Sequence, residues 1–369
     1  MYTPAQNRLF IGVFVGCLFL PLVGLVFHLG NAPSTQENRA LAPTPSWDDL
    51  RHSSEAYFND HFGFRQYLIN SYHFIQRKLG KSASEKVLMG QDHWLFYAHD
   101  GALQDHKHED PFSAEQLHAW QTALSQKQAW LQQKNIAYQY VIAPNKGTIY
   151  PEYLPEDLSV LDQVKRVDQL SQQMASTPNF TLLDLRSVIQ AAKTHAQVYY
   201  KTDSHWNYVG ANAAQHAIIQ QLSPQFPKLQ GRLLDANQFQ HRVAPGGDLA
   251  QLLGLGDALN DTLFTPSVPL VCADQVPLGD SPLLQTMGKG VIHQTHCAQG
   301  HYNALIIHDS FGFALKPYLA QYFTNAVFVW ARPNLSTLQA WVELYQPDIV
   351  IEQRVERKLR SSPWGKQKK

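Results

Sequence analysis

Apolar residues recur along this chain in three patterns, and each predicts a different element. From Leu9 to Leu29 they run without an Asp, Glu, Lys or Arg (LFIGVFVGCLFLPLVGLVFHL), and about 20 such residues make a helix that can cross a bilayer. Between Trp47 and Lys81 they fall at helical spacing, through Tyr57, Phe58, Phe62, Phe64, Tyr67, Leu68, Tyr72, Phe74 and Ile75, which predicts one or two packing helices. From Ser113 onward, helix-length amphipathic stretches alternate with short apolar runs of strand length.

The alternation predicts helices over Ser113–Lys134, Val160–Ala175, Tyr208–Leu222, Phe313–Gln321 and Leu335–Tyr345. It predicts strands over Ala137–Ala143, Phe180–Leu185, Ala304–Ile307, Ala326–Trp330 and Asp348–Glu352. Strands and helices taken in turn argue for an α/β fold, a parallel sheet covered by helices. Between Ser223 and His301 the chain is rich in Gly and Pro, and an irregular insertion is expected there. The expected divisions are an anchor at 1–30, a connector and packing helices at 31–83, a catalytic domain at 84–356 and a solvated basic tail at 357–369.

Charge and cysteine usage bear on compartment. Thirty Lys and Arg balance 30 Asp and Glu, and without a basic excess nucleic acid is not an expected partner. The apolar run reads as a membrane span or a signal peptide; its length, and the lack of a small-x-small site in Gly30–Ser34, favour an uncleaved anchor. Arg8 precedes it, while Glu37 and Arg39 follow, so the weak charge bias puts the N-terminus in the cytoplasm and the bulk outside. In a bacterium that is a single-pass inner-membrane protein, held through residues 9–29, with its domain in the periplasm. Outside the run the thiols are Cys272 and Cys297, a pair that favours a disulfide in an exported domain. Closing that loop contributes roughly 3 to 4 kcal/mol in the chain-entropy model.

Two stretches carry chemistry. Ala304–Ile307 reads as a buried strand and is followed by His308-Asp309-Ser310-Phe311-Gly312, so Ser310 falls beyond a strand's carboxyl end, where α/β proteins place ligands. Alone, such a serine is more often a turn former or a helix cap. The second stretch is Asp203-Ser204-His205-Trp206-Asn207. A serine needs a base to take its proton and the base needs an orienting partner. His205 is the candidate base, and Asp203, two residues earlier, can project to the same side and reach its far nitrogen. The bland reading of the same residues is a helix N-terminus capped by Asp203 or Ser204, with Trp206 as a buried anchor. For the oxyanion, the backbone N–H groups around Ser310 are candidates, and Asn145 of Pro144-Asn145-Lys146 is a candidate side-chain donor. Gly247 and Asp248 mark a turn that reads either as part of the substrate rim or as a plain glycine loop.

No metal is expected. Asp105-His106-Lys107-His108-Glu109-Asp110 lacks an established ligand spacing, and Cys297, beside His293 and His296, cannot ligate zinc if bridged.

Asp-Ser-His-Trp-Asn paired with a later strand-borne Asp-Ser-Phe-Gly resembles the SGNH-hydrolase-like domain of the alginate O-acetyltransferases of the AlgJ and AlgX kind. Glu37-Asn38-Arg39, Phe58–Arg65, Gly90–Phe96, Pro144-Asn145-Lys146 with Tyr150-Pro151-Glu152, Gly247-Asp248-Leu249 and Pro347–Ile351 fit that family too. The resemblance implies a periplasmic enzyme that transfers acetyl groups to hydroxyls of a bacterial exopolysaccharide through an acetyl-enzyme on Ser310, with His205 as base and then acid. It implies no bound cofactor, the acetyl group being supplied by a membrane-bound O-acyltransferase partner. Asp203 and His205 precede the serine with one residue between them, unlike ordinary SGNH hydrolases and like the acetyltransferase branch. The chain stops soon after Glu352, without room for the carbohydrate-binding module of the AlgX kind, so the anchored AlgJ kind is the nearer resemblance. An acetylesterase with the same triad, or a non-catalytic polysaccharide-binding scaffold, would share these motifs.

Overall fold

The computed structural model describes residues 3–27, 42–65, 67, 68, 71, 72, 75, 84–178, 180, 182–272, 274–276 and 292–364. It divides into two compact units, Met1–Leu88 with Pro245–Asn260, and Met89–Ala244 with Asp261–Lys369.

In the first unit the unbroken apolar run becomes the helix Pro4–Val26, long and apolar enough over Gln6–Val26 to cross a membrane. Thr3 starts it: its hydroxyl accepts from the Gln6 N–H while the Gln6 side chain accepts from the Thr3 N–H, which satisfies two otherwise orphaned donors. The second amphipathic stretch gives the helix Leu50–His61. In the turn after it Gly63 meets Gly24; a Cβ at Gly24 would lie 2.7 Å from the Gly63 Cα, so this approach needs glycine. Of the connector and packing helices expected at 31–83, residues 31–41 and 76–83 lie outside the described residues. Also in this unit, Gly247 precedes the short helix Asp248–Leu252, and the Gly246 N–H closes that turn on the carbonyls of Gly256 and Leu259 at 2.8 and 2.7 Å.

The strands are β1 (Val87–Met89), β2 (Leu95–Tyr97), β3 (Ala137–Ala143), β4 (Leu182–Asp184), β5 (Phe239–Pro245), β6 (Asn260–Pro266), β7 (Gln275–Val276), β8 (Ile292–His296), β9 (Asn303–His308), β10 (Asn325–Trp330) and β11 (Ile349–Val355). In the second unit, among the described residues, seven of them form one sheet in the order β4-β3-β11-β9-β10-β8-β7. The run from β4 to β10 is parallel. β8 pairs antiparallel with both β10 and β7, so the sheet is mixed rather than parallel throughout. These two strands come from the segment expected to be irregular. They are too short to stand out from its Gly and Pro, and pairing with an existing sheet edge supplies the order that their own pattern lacks. Cys272 and Cys297, which bracket them, are joined by a disulfide.

Both faces of the sheet are covered, which explains why β9 reads as a continuous apolar run. On one face the helix Ala114–Gln133, capped by Ser113 and Gln116, contributes Trp120, Leu124 and Leu131 to a core with Tyr138, Tyr140, Ile142, Leu305, Ile307 and Val350. β11 runs three residues beyond the expected end at Glu352, through buried Gln353, Arg354 and Val355. Burial is tolerable there because Glu352 is neutralised: Lys127 Nζ lies 2.8 Å and Arg354 Nη2 3.2 Å from its carboxylate, and the Tyr138 hydroxyl donates to it at 2.8 Å. The expected solvated tail is a second correction. Its first residue, Arg357, is buried on the turn Glu356–Arg360 and donates to Asn145 Oδ1 at 3.0 Å.

Candidate active site

The parallel strands β3, β11 and β9 are neighbours and end on the same edge, so the residues that follow each of them gather there. After β9 comes the turn Asp309-Ser310-Phe311, which leads into the helix Gly312–Leu319. Asp309 fixes this turn at both ends. Its Oδ1 accepts from the Phe311 N–H at 3.0 Å, and its Oδ2 accepts from the N–H of Val355, the last residue of β11, at 2.7 Å. His308 is buried beneath and donates through Nδ1 to the Asp309 carbonyl at 2.6 Å. Burial pushes its pKa down to about 4, so it stays neutral and structural.

The stretch Lys201–His205 has no regular secondary structure. Trp206 anchors its end: the indole is buried, Nε1 donates to the Phe311 carbonyl at 3.1 Å, and the two rings meet edge to face at 5.2 Å. Asn207, not Asp203 or Ser204, caps the helix Tyr208–Leu222, its Oδ1 accepting from Val209 and Gly210 at 2.9 and 3.1 Å. Asp203 is thereby left for His205. Its Oδ1 accepts from the His205 backbone N–H at 2.9 Å and lies 2.7 Å from His205 Nδ1, while His205 Nε2 lies 2.8 Å from Ser310 Oγ. An ionised carboxylate only accepts, so Nδ1 carries the proton and Nε2 is the acceptor that faces the serine hydroxyl. The His205 and Asp203 side chains are 26% and 23% exposed, enough for a substrate to reach them.

Two buried groups, Lys146 of the Pro144-Asn145-Lys146 motif and Asp261, hold this stretch. The Lys146 ammonium donates to the carbonyls of Tyr200, Lys201 and Asp203 at 2.9, 2.9 and 2.8 Å. The Asp261 carboxylate accepts from the N–H groups of Lys201 and Thr202 at 3.2 and 2.6 Å and from the Thr202 hydroxyl at 2.6 Å. Lys146 shares a motif with Asn145, whereas nothing in the sequence links Asp261 to the loop.

The expected oxyanion donors fare differently. The Phe311 N–H is taken by Asp309 Oδ1 and the Gly312 N–H by the Asp309 carbonyl at 3.0 Å, which leaves the N–H of Ser310 itself as the backbone donor of this turn. Asn145 is a buried strut: Nδ2 donates to Asp105 and Oδ1 accepts from Arg357. Gly247 and Asp248, read as a turn of the substrate rim or a plain glycine loop, open the short helix Asp248–Leu252. In the ligand-rich stretch, Asp110 pairs with Arg166 and Arg360 and Lys107 with Glu109, while His106 is buried against Phe96 with its pKa lowered to about 3 by burial. These side chains do not converge on one centre.

The sequence family described as the SGNH hydrolase-like domain of acetyltransferase AlgX matches residues 87–288, more than half of the chain. The match includes Asp203 and His205 and ends before Ser310. Among curated relatives, the "probable alginate O-acetylase AlgJ" of Pseudomonas syringae pv. tomato is 26% identical over 272 residues, covering 72% of this chain and 64% of that protein. Its namesake in Pseudomonas putida is 28% identical over 177 residues, covering 48% and 44%. The chain thus spans less than two thirds of the length of these relatives. Among solved structures, Bacillus cereus PatB1 superposes with a TM-score of 0.52 at 15% identity, over 74% of this chain and 96% of that one, which supports the fold. The resemblance read from the motifs is borne out, and the chain belongs to the family of the SGNH hydrolase-like domain of acetyltransferase AlgX.

Proposed function

We propose that this protein is an O-acetyltransferase, held in the bacterial inner membrane by Pro4–Val26, that acetylates hydroxyls of an exopolysaccharide in the periplasm. The observation that carries the reading is His205 seated between Asp203 and Ser310 at 2.7 and 2.8 Å. The names of the AlgJ relatives support the acetyl group and a polysaccharide acceptor.

In the proposed reaction Ser310 Oγ attacks the acetyl carbonyl of the donor as His205 Nε2 takes the hydroxyl proton. The N–H of Ser310 faces the oxyanion, and the leaving group departs with the proton from His205, leaving an acetyl ester on Ser310. A sugar hydroxyl then gives its proton to His205 and attacks that ester. The sugar leaves acetylated, and the proton returns to Ser310. Asp203 holds the imidazole in the productive tautomer and balances its transient charge. A membrane-bound O-acyltransferase supplies the acetyl group, and the protein keeps no cofactor of its own.

The test is acetyl transfer by the full-length chain in detergent, with p-nitrophenyl acetate as donor and a deacetylated oligosaccharide as acceptor, read by mass spectrometry. Acetylated sugar from the wild type and none from Ser310→Ala is the expected result. Acetate release without acetylated sugar would favour the esterase, and equal transfer by Ser310→Ala would end the catalytic reading.

A further inference from the structure

The structure assigns Lys146 a role that the motif around it does not announce: it is the positioning residue that shapes the His205 loop, acting through backbone carbonyls. The inference rests on the proposed Asp203, His205, Ser310 site, because it concerns how that site is held.

Three observations carry it. Lys146 is 4% exposed, and a buried ammonium persists only where fixed acceptors replace its water. It has three N–H donors, and they meet the three carbonyls of Tyr200, Lys201 and Asp203. The rings of Trp94 and Phe96 close over it, with centroids 5.4 and 5.2 Å from Nζ, where aromatic faces attract a cation. An ammonium so engaged has no donor left for substrate and no exposure to act as a base.

The carbonyls explain why a cation is needed. Three carbonyl oxygens from four consecutive residues converge on one point, and their partial negative charges repel one another unless a positive group lies between them. The opposite side of the same loop offers N–H groups, and there Asp261 gathers those of Lys201 and Thr202. A cation therefore holds one side of the loop and an anion the other, adding to the few backbone bonds that the segment makes, from the Leu95 N–H to the Lys201 carbonyl at 2.9 Å and from the Tyr200 N–H to the His205 carbonyl at 3.4 Å. Asp203 is both a carbonyl held by Lys146 and the carboxylate that orients His205, so displacing the first moves the second.

The test uses full-length protein in detergent and phenylmethylsulfonyl fluoride, which labels an activated serine without needing an acetyl donor or a polymer. Lys146→Met keeps the unbranched apolar stem to Cε and removes the charged end. Its expected outcome is serine labelling slowed by about a hundredfold or more, the size typical when a catalytic base is misplaced. The low-field proton signal of the His205 Nδ1–H should be lost while near-UV circular dichroism stays that of the wild type. In Lys146→Ala, added ethylammonium or propylammonium should restore labelling by about tenfold or more, whereas the same additives leave wild type unchanged; a purely structural loss would not respond to a small cation. Labelling of a folded Lys146→Met within about threefold of wild type overturns the inference. If Lys146→Met does not fold, the alkylammonium response of Lys146→Ala decides, refolded in the presence of the amine, and absence of rescue overturns it. His205→Ala separates the two readings: if it labels as fast as wild type, the triad itself fails, whereas a silent His205→Ala beside an unaffected Lys146→Met sinks only the role of Lys146.

Discussion

The two halves of the site are built in different ways. Ser310 follows β9, whose neighbours β11 and β10 fix it by parallel ladders, and one carboxylate, Asp309, ties the turn to the end of β11. Asp203 and His205 sit on a stretch without a ladder, held by Lys146, Asp261 and the Trp206 indole. A ladder spreads positioning over many backbone bonds, each worth about 1 kcal/mol net. A loop held by buried charges concentrates it in a few side chains, since removing one leaves its partner buried and unpaired at about 1 to 3 kcal/mol or more. The proposed nucleophile should therefore be robust to changes around it and the proposed base vulnerable to them.

Substitutions on either side test that contrast. The largest effect belongs to the proposed reacting groups: Ser310→Ala and His205→Ala should each lower acetyl transfer about a thousandfold or more with little change in thermal midpoint. Next comes Asp261→Asn, which weakens one side of the His205 loop. It should cost about 1 to 3 kcal/mol in chemical denaturation and slow serine labelling by about 10- to 100-fold, more than Asp309→Asn does on the ladder side. Equal losses from the two variants would erase the distinction drawn between the halves. Trp206→Phe keeps an aromatic ring, removes the bond to the Phe311 carbonyl and leaves part of the indole's buried volume empty; a several-fold drop in turnover with a cost of about 2 to 3 kcal/mol is expected.

Smaller effects on chemistry are expected farther off. Replacing both Cys272 and Cys297 with Ser should lower stability by about 3 kcal/mol and leave the labelling rate of Ser310 unchanged, because the bridge closes the edge arm of β7 and β8. The slightest effect at neutral pH comes from His106 and His308, both buried neutral with pKa values depressed to about 3 and about 4. An unfolded histidine takes its proton near the ordinary value of about 6.5. The stability these residues contribute is thus full above that value and is lost as pH falls through their folded values. Denaturation midpoints should drop steadily from about pH 6.5 toward pH 4, and His308→Gln should flatten part of that slope.

The two stretches that carry Asp203, His205 and Ser310 were legible because their chemistry is written in short range: an Asp and a His two apart, and a serine just past an apolar run. Helices and central strands were legible for a similar reason, since periodicity is a local property. The reading went wrong where a side chain's partner is distant in sequence. Asn145, expected as an oxyanion donor, is committed to Asp105 and Arg357. Arg357 looked like the start of a solvated tail and lies over the rings of Tyr97 and Phe311.

Local pattern in the sequence is enough for the alternation of elements, the apolar N-terminal helix and the residue types that can carry acyl transfer. Only the tertiary structure decided that β11 slots between β3 and β9, so that the ends of the three strands meet, and that Lys146 and Asp261 enclose the His205 loop from residues 54 to 60 positions away. Buried charges find their partners through the topology that removes them from water. Their roles are set by burial and approach, which no local pattern of residues encodes.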